Sequence, residues 1–156
     1  GEILDKTREI VIQEFEKSEE EVKDGMDIAL CSLENNTLHY SGANNPLWII
    51  RNDSNQVEEI KANKQPIGQF ASPSPYTSHK IELSKGDCFY IFSDGYVDQF
   101  GGEKGKKFKT VNLKKLLISL KDMPMENQKE ALEETFNEWK SDLEQIDDVC
   151  VIGVRI

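Results

Sequence analysis

The segment DCFYIFSDGYVD, residues 87–98, contains the strand signal around which the chain is organised. The apolar, aromatic-rich run from Cys88 to Phe92 predicts a buried strand. The strand ends at Ser93-Asp94-Gly95, where the glycine indicates a turn. Asp94 is therefore expected to be held rigidly at the edge of the fold. A hard metal ion could bind there, because its oxygen ligands must converge from several strands.

A second acidic turn closes the chain, where Gln145-Ile146-Asp147-Asp148 precedes an apolar run from Val149 to Ile156. Asp94 stands where one strand ends and Asp147 where the other begins, so antiparallel pairing would bring both to one edge of a sheet. A cation such as Mg²⁺ or Mn²⁺ would relieve the repulsion between two neighbouring carboxylates. We therefore predict a shared metal site. On spacing alone, the alternative without a metal is stronger, in which Asp94-Gly95 is an ordinary turn and Asp147-Asp148 a cap.

Length and charge limit the class of protein. The chain has 156 residues, which fits one domain or a large part of one. Its formal net charge of −10 argues against a nucleic-acid surface and is compatible with a cytoplasmic enzyme. The sequence has no signal-peptide pattern and no apolar run of the ~18 residues that span a bilayer. Because it does not start with Met, we expect Gly1 to be an expression remnant or a cut point inside a longer protein.

The three cysteines, Cys31, Cys88 and Cys150, all lie in apolar, strand-like runs. Their number is odd and none belongs to a Cys-x-x-Cys pair, so neither a disulfide framework nor a zinc site is indicated. We predict buried, reduced thiols and hence a reducing compartment.

The order of the predicted elements indicates the fold class. A helix is predicted over 2–23, and its apolar face consists of Ile3, Leu4, Ile10, Val11 and Phe15. Four short strands in a meander are predicted at 28–33, 37–41, 47–51 and 57–60, with another at 77–83. A mobile loop at 99–109 leads to helices at 113–120 and 126–143. This order predicts an α+β fold, an antiparallel β-sandwich flanked by helices, with the apolar last strand central in its sheet.

Five stretches carry a resemblance to a known family. They are DGMDIAL (24–30), YSGANNPL (40–47), QPIG (65–68), the segment from GD (86–87) through SDGYVDQFGG (93–102), and DDV (147–149). With them the chain resembles the metal-dependent serine/threonine protein phosphatases of the PPM group. Within that group it is similar to the bacterial SpoIIE-type branch found downstream of sensor modules. The stretches occur in family order and cover nearly the whole chain, which makes the resemblance specific.

The resemblance implies two stacked antiparallel sheets flanked by helices, with two Mn²⁺ or Mg²⁺ ions at one end. It also implies that a metal-bridged water attacks phosphorus directly, without a phosphoenzyme. Asp94 and Asp147 would be the catalytic metal ligands, both on the same ion. Asp148 takes the place where many relatives have Asn, so we expect it to support the site rather than to bind metal.

The chain also departs from the family pattern. Relatives carry an earlier Asp-x-x-Gly-His-Gly motif that bridges both metals and a still earlier acidic residue, and this sequence contains neither. His39 and His79 have other contexts and are interpreted as surface or packed structural residues. We therefore expect residues 1–156 to be the C-terminal portion of a phosphatase domain, lacking the first strands and the first metal motif. Such a fragment would bind metal weakly and hydrolyse little or nothing.

Other residues are candidates around the site. Asp98 could reach the site if a helix starts at Asp94, and we expect it, like Gly95, to support the site rather than to bind the main metal ions. Asp24 is a candidate ligand for a third, weaker metal implied by the resemblance, and helix-end capping is the alternative. The resemblance places Asn44 and Asn45 near the rim of the site. The favoured alternative is that they are turn residues, because Asn tolerates left-handed backbone conformations.

A basic cluster interrupts the otherwise acidic chain, and it consists of Lys104, Lys106, Lys107 and Lys109. It could receive a phosphorylated partner, because lysine side chains bind phosphate oxygens. A solvated loop is the simpler interpretation.

The leading hypothesis is a divalent-metal phosphatase that acts on phosphoserine or phosphothreonine of a regulatory partner in bacterial signalling. In similar proteins the partner is often an anti-anti-sigma-factor protein. The longer protein would carry an upstream sensor module and be cytoplasmic, or be the cytoplasmic part of a membrane-bound sensor. The alternative is a non-catalytic module that binds partners without hydrolysis, which the presence of both Asp94 and Asp147 argues against. An unpaired sheet edge would favour a homodimer.

Overall fold

The computed structural model describes residues 1–17 and 24–156. It contains antiparallel sheets and four helices in these residues, which confirms the predicted α+β class. The helices are α1 (Glu2–Phe15), α2 (Gly95–Asp98), α3 (Thr110–Leu120) and α4 (Met125–Lys140). The strands are β1 (Gly25–Met26), β2 (Ile28–Glu34), β3 (Thr37–Ala43), β4 (Leu47–Ile50), β5 (Val57–Ile60), β6 (Ile67–Gly68), β7 (His79–Glu82), β8 (Cys88–Phe92), β9 (Phe100–Gly101), β10 (Lys106–Lys107) and β11 (Val151–Arg155). None of the described helices is both long and apolar enough to cross a membrane.

The chain divides into two compact units, and the first comprises Gly1–Leu47 and Glu59–Leu83. Its main sheet has the order β2-β3-β7, and β1 pairs separately with β6. The β2-β3 hairpin turns at Asn35, whose φ of 54° is a left-handed conformation that Asn tolerates. Leu4 of α1 is buried in the small core of this unit, together with Tyr76.

Helix α1 is shorter and less buried than the sequence pattern predicted. It ends at Phe15, and the remainder of the predicted helix lies largely outside the described residues. Of its predicted apolar face only Leu4 is buried, whereas Ile3 is 66% exposed and Ile10 50% exposed. The helix packs mainly on β6, a strand of two residues, so the surface that covers it is narrow.

The second unit comprises Trp48–Glu58 and Ser84–Ile156 and is built on a sheet with the order β11-β8-β4-β5. As predicted, β8 is a buried strand, and it pairs antiparallel with β4 on one side and β11 on the other. Helices α3 and α4 contribute buried side chains to the core of this unit, namely Leu113, Leu117, Leu132 and Phe136. Burying such apolar side chains is the main stabilising contribution to this unit.

Two predictions about the strands are wrong. The four strands between residues 28 and 60 do not form one meander, because β2 and β3 lie in one sheet and β4 and β5 in another. The last strand, β11, lies at the edge of its sheet and not in the centre. Its apolar composition reflects cover from α4, since a side chain at Gly153 would lie 2.8 Å from the terminal methyl of Met125. The other side of the strand is open, and Ile152 is 50% exposed.

The cysteines only partly follow the prediction of buried thiols. Cys88 is buried, and Cys31 is half-buried in β2, where burial raises the pKa of its thiol to about 11. Cys150 is exposed, because it immediately precedes the edge strand β11. All three are free thiols.

The predicted mobile loop at 99–109 contains the short antiparallel hairpin β9-β10 instead. This hairpin is anchored to α4, since the N–H of Gly102 donates to the carbonyl of Trp139 at 2.9 Å. Phe108 at its end is buried, with its ring 5.3 Å from that of Trp139 in an edge-to-face arrangement. Periodicity could not predict these contacts, because strands of two residues have no pattern.

Asp87 anchors the start of β8. Its buried carboxylate accepts hydrogen bonds from the Arg51 guanidinium at 3.0 Å and from the backbone N–H groups of Asn52 and Ser84, each at 2.9 Å. Burial by itself would raise the pKa of this carboxyl. The N–H groups of Ser84 and Asn52 and the charge of Arg51 outweigh burial and lower the pKa below its ordinary value of 3.8. These contacts tie the turn before β8 to the end of β4.

We predict that Asp87→Asn lowers the free energy of unfolding at neutral pH by about 1–3 kcal/mol, because an amide cannot satisfy all three donors. The folded-state pKa of Asp87 is lowered, so its contribution is present above pH 3.8 and is lost as the pH falls through the folded-state value. Urea unfolding of both proteins across this pH range measures the difference. The control Asp53→Asn, in an exposed turn, should change stability by less than about 0.5 kcal/mol. An effect of Asp87→Asn that stays constant on acidification would contradict this account.

Candidate functional site

The two predicted ligands belong to the ends of neighbouring strands. As predicted from the sequence, β8 and β11 pair antiparallel. The register places Phe92 opposite Val151 and Tyr90 opposite Gly153. Asp94 comes shortly after β8, and the acidic turn that contains Asp147 comes shortly before β11. The structure therefore brings their backbones to the same end of the sheet. Both residues are exposed.

Ser93 fastens these strand ends together. Its N–H donates to the carbonyl of Cys150 at 3.0 Å. Its hydroxyl donates to the carbonyl of Asp148 at 2.7 Å and accepts from the N–H of Cys150 at 2.9 Å. The pairing of β8 with β11 thus continues beyond the strands and reaches the acidic turn.

Gly95 begins α2 and is buried directly against the acidic turn. A Cβ at this position would lie 2.5 Å from the carbonyl oxygen of Asp148 and 3.3 Å from that of Asp147. A residue with a side chain could not approach so closely without displacing the turn. Gly95 therefore contributes to the site by packing, and it brings the backbone next to Asp94 close to that of Asp147.

Asp98 lies one helical turn after Asp94, which is the N-cap of α2. Its N–H donates to the carbonyl of Asp94 at 2.9 Å. Its carboxylate accepts a hydrogen bond from Lys107 at 2.8 Å, which links α2 to the hairpin β9-β10. Asp98 is thus paired with a lysine in this structure.

Asp148 contacts the site through its backbone. Its N–H donates to the Oδ1 atom of Asp147 at 2.7 Å, and its carbonyl accepts from Ser93. The side chain of Gln145 donates to the carbonyl of Asp147 at 2.8 Å. One carboxylate oxygen of Asp147 is therefore held by a hydrogen bond, and the turn around it is internally bonded.

Asp24 and Asn44 belong to the first compact unit. Because α1 ends at Phe15, Asp24 does not cap that helix, and its carbonyl instead lies close to Gly68. Asn44 has a φ of 58°, and its side-chain amide donates to Asp27 at 2.7 Å. The interpretation of Asn44 as a turn residue is confirmed. A third metal at Asp24 stays a prediction.

The two histidines have no metal-site geometry. His39 is exposed, and the ring of His79 stacks on that of Tyr40 with centroids 5.7 Å apart, which confirms their interpretation as surface and packed residues. Across residues 1–17 and 24–156, no group of three or more His, Cys, Asp or Glu side chains is arranged to hold a metal ion.

Two polar residues that were not predicted to have a role, Ser93 and Gln99, hold the acidic turn in place. Gln99 is fully buried and hydrogen-bonds to the backbone of Glu144 and Ile146. In the sequence, Gln99 is one polar residue of the family stretch SDGYVDQFGG, next to Asp98, and nothing there distinguishes a buried amide from an ordinary loop residue.

Solved structures with the same fold define the class of protein. The SiaA-PP2C domain of Pseudomonas aeruginosa matches with a TM-score of 0.86 and 26% identity, over 99% of this chain and 59% of that chain. The phosphatase domain of the cell fate determinant SpoIIE from Bacillus subtilis, presoaked with Mn, matches with a TM-score of 0.62 and 20% identity, over 99% and 72%. The RsbU and RsbW domains of Rv1364c from Mycobacterium tuberculosis match with a TM-score of 0.65 and 14% identity, over 98% and 47%. The fold is that of bacterial PP2C-type phosphatase domains.

The model of the family described as stage II sporulation protein E (SpoIIE) matches residues 1–156. The chain therefore belongs to the SpoIIE family, as the five sequence stretches indicated. No curated protein matches it significantly. The chain spans 59% of the length of the SiaA structure that it matches.

We predict that Gly95→Ala lowers the free energy of unfolding by about 1–3 kcal/mol, because the added methyl group would push the acidic turn away from α2. Amide exchange at Cys150, whose N–H is bonded to Ser93, should become faster. In the control Gly105→Asn, the new Cβ meets nothing within 4 Å and Asn tolerates the left-handed backbone. Unchanged stability and exchange in Gly95→Ala would contradict the close approach of Gly95 to Asp148.

Proposed function

We propose that this chain is part of a bacterial metal-dependent protein phosphatase that hydrolyses phosphoserine or phosphothreonine on a regulatory protein. The observation that carries the proposal is the junction of β8 and β11. There Gly95 packs on the acidic turn, and the backbones of Asp94 and Asp147 lie at one end of the sheet. Membership of the SpoIIE family supports the reaction class.

The donor set at this junction fits a hard divalent cation. Asp94 and Asp147 are exposed, so their carboxylates can turn toward a common ion without disturbing the packed core. Oxygen ligands of this kind suit Mg²⁺ and Mn²⁺. Such ions, when bound, supply an acidified water and neutralise phosphate oxygens. The Mn presoak of the Bacillus subtilis SpoIIE domain supports this choice of metal.

The chain's own residues have distinct roles in this proposal. Asp94 and Asp147 would hold the cation, while Ser93 and Gly95 keep the two strand ends together. The N–H of Asp148 fixes one oxygen of the Asp147 carboxylate and leaves the other available for ligation. Because these contacts are made within the chain itself, the fold keeps the two strand ends together, which favours convergence of the two carboxylates.

The hairpin β9-β10 provides positive charge for a phosphorylated partner. Lys104, Lys106 and Lys107 are exposed, and Lys107 is bonded to Asp98 at the end of α2. Lysines at this position would attract the phosphate of a protein substrate toward Asp94 at the start of the same helix. We propose an anti-anti-sigma-factor-like protein as the substrate. The RsbU and RsbW domains of one structural neighbour support a regulatory protein as the partner.

In this proposal the chain is part of a longer protein. The chain spans 59% of the SiaA structure, and we propose that the first strands and the metal-bridging motif precede Gly1. An upstream sensor module would control the phosphatase, in a cytoplasmic protein or in the cytoplasmic part of a membrane-bound sensor. The chain by itself would then supply few metal ligands, so it would bind Mn²⁺ weakly and hydrolyse little.

We predict that Mn²⁺ binds at the junction and that both aspartates contribute. In amide NMR spectra, Mn²⁺ should broaden the signals of Gly95 and Asp148 before others. Asp94→Asn or Asp147→Asn should raise the required Mn²⁺ concentration by at least roughly tenfold. The exposed Asp53→Asn serves as the control and should leave the concentration unchanged. Identical titrations for all these proteins would exclude the site.

Hydrolysis of p-nitrophenyl phosphate distinguishes a phosphatase from a non-catalytic binding module. The longer protein should hydrolyse it with Mn²⁺ and lose the activity in Asp94→Asn, whereas residues 1–156 alone should show little or no rate. A longer protein that binds Mn²⁺ without hydrolysis would favour the binding module. A clear rate from the chain alone would contradict the proposal that further ligands precede Gly1.

We also propose that the chain forms a homodimer through the open edge of the sheet at β11. Cys150 bonds to Ser93 and Ile156 to Asp87, the residues that flank β8. By alternation, the backbone groups of Val151, Gly153 and Arg155 point to the outer edge of the sheet, where no described strand pairs with β11. Such an edge is a template for a second copy. Sedimentation should show a concentration-dependent dimer that Ile152→Lys weakens. A monomer at every concentration would rule this out.

A further inference from the structure

Gln99 is a buried amide with both of its polar ends in use. The residue is 0% exposed. Its Nε2 donates to the carbonyl of Glu144 at 2.9 Å and to that of Phe100 at 3.0 Å, and its Oε1 accepts from the N–H of Ile146 at 3.4 Å. A neutral amide offers both a donor and an acceptor, whereas a charged side chain would bury its charge here.

The contacts of Gln99 and Ser93 bracket Asp147. Residues 141–148 form neither helix nor strand and are all exposed, so no ladder of their own holds them. On one side of Asp147, Ile146 is bonded to Gln99. On the other side, the carbonyl of Asp148 is bonded to Ser93 at 2.7 Å. Ser93 and Gln99 lie on either side of α2, so the short segment that carries Asp94 holds Asp147 from both directions.

The main chain of Gln99 is fixed independently of the acidic turn. Its carbonyl accepts from the indole N–H of Trp139 at 3.1 Å and from the N–H of Phe108 at 2.9 Å. Its N–H donates to the carbonyl of Gly95 at 3.2 Å. The backbone of Gln99 is therefore fixed, and its side-chain amide determines the position of the acidic turn.

We propose that Gln99 is a positioning residue that holds Asp147 at the separation from Asp94 that a shared cation requires. This role rests on the proposed metal site at Asp94 and Asp147. Gln99 is not itself a ligand, because backbone groups engage both ends of its amide. It acts through the backbone of Glu144 and Ile146, and Ile146 leads directly into Asp147.

Gln128 provides a matched control in the same compact unit. It is also buried, its Oε1 accepts from the hydroxyl of Tyr90 at 2.8 Å, and its Nε2 donates to the carbonyl of Met123 at 3.1 Å. None of its hydrogen bonds reaches residues 141–148. Gln99→Met and Gln128→Met each replace a buried amide by an apolar side chain of similar length, so both should lower the urea midpoint of unfolding.

Mn²⁺ titration followed by amide NMR separates positioning from general stability. In the unsubstituted protein, the signals of Gly95 and Asp148 should broaden together. In Gln99→Met, the Mn²⁺ concentration that half-broadens them should rise roughly 10- to 100-fold, the typical cost of losing a group that orients a metal ligand. In Gln128→Met it should stay at the unsubstituted value despite the loss of stability.

The outcomes separate this role from the proposed function. Equal midpoints in Gln99→Met and Gln128→Met would overturn the positioning role and leave the metal site intact. Absence of broadening in the unsubstituted protein would overturn the metal site and this role with it. Should Gln99→Met fail to fold, Gln99→Asn keeps the amide but is one methylene too short to make both contacts. An unchanged midpoint in that variant would likewise overturn the role.

Discussion

The antiparallel register of β8 against β11 is the constraint on which the candidate site depends. It places Phe92 opposite Val151, so the turn after one strand meets the turn before the other. The absence of a side chain at Gly95 lets α2 begin against the carbonyl of Asp148. A slip of one residue would reverse the faces of β11 and separate the two acidic turns. The chemistry proposed for the site therefore depends first on strand pairing.

Much of this arrangement could be predicted from the sequence. The aromatic, apolar run of β8 is too short for a helix and is closed by a glycine turn, which favours a buried strand. The pairing of β8 with β11 follows from two apolar runs with acidic turns at complementary ends. The five family stretches in order predicted the fold class and the family.

The rest depends on tertiary contacts that a local pattern does not contain. The apolar run of β11 indicates burial, but it cannot distinguish cover by a helix from cover by neighbouring strands, and the strand lies at an edge. The same ambiguity explains why Cys150 is exposed and why Ile3 and Ile10 face solvent on an apparently amphipathic helix. Gln99 was missed because its partners, Glu144 and Ile146, are far along the chain and bond through their backbones.

The candidate site combines two exposed carboxylates, proposed here as ligands, with a support that is largely buried. Asp94 and Asp147 are free to meet an ion, while Ser93, Gly95 and Gln99 fix the backbone beneath them. This division resembles other metal sites, in which the groups behind the ligands set the geometry.

Cross-strand NOE contacts test the register most directly. In an antiparallel ladder, the closest Hα–Hα pairs belong to residues that do not exchange hydrogen bonds. Cys150 bonds to Ser93 and Ile156 to Asp87, at the two ends of β8. We therefore expect strong Hα–Hα contacts between Phe92 and Val151 and between Tyr90 and Gly153. Contacts shifted by one residue, or none between these strands, would contradict the account.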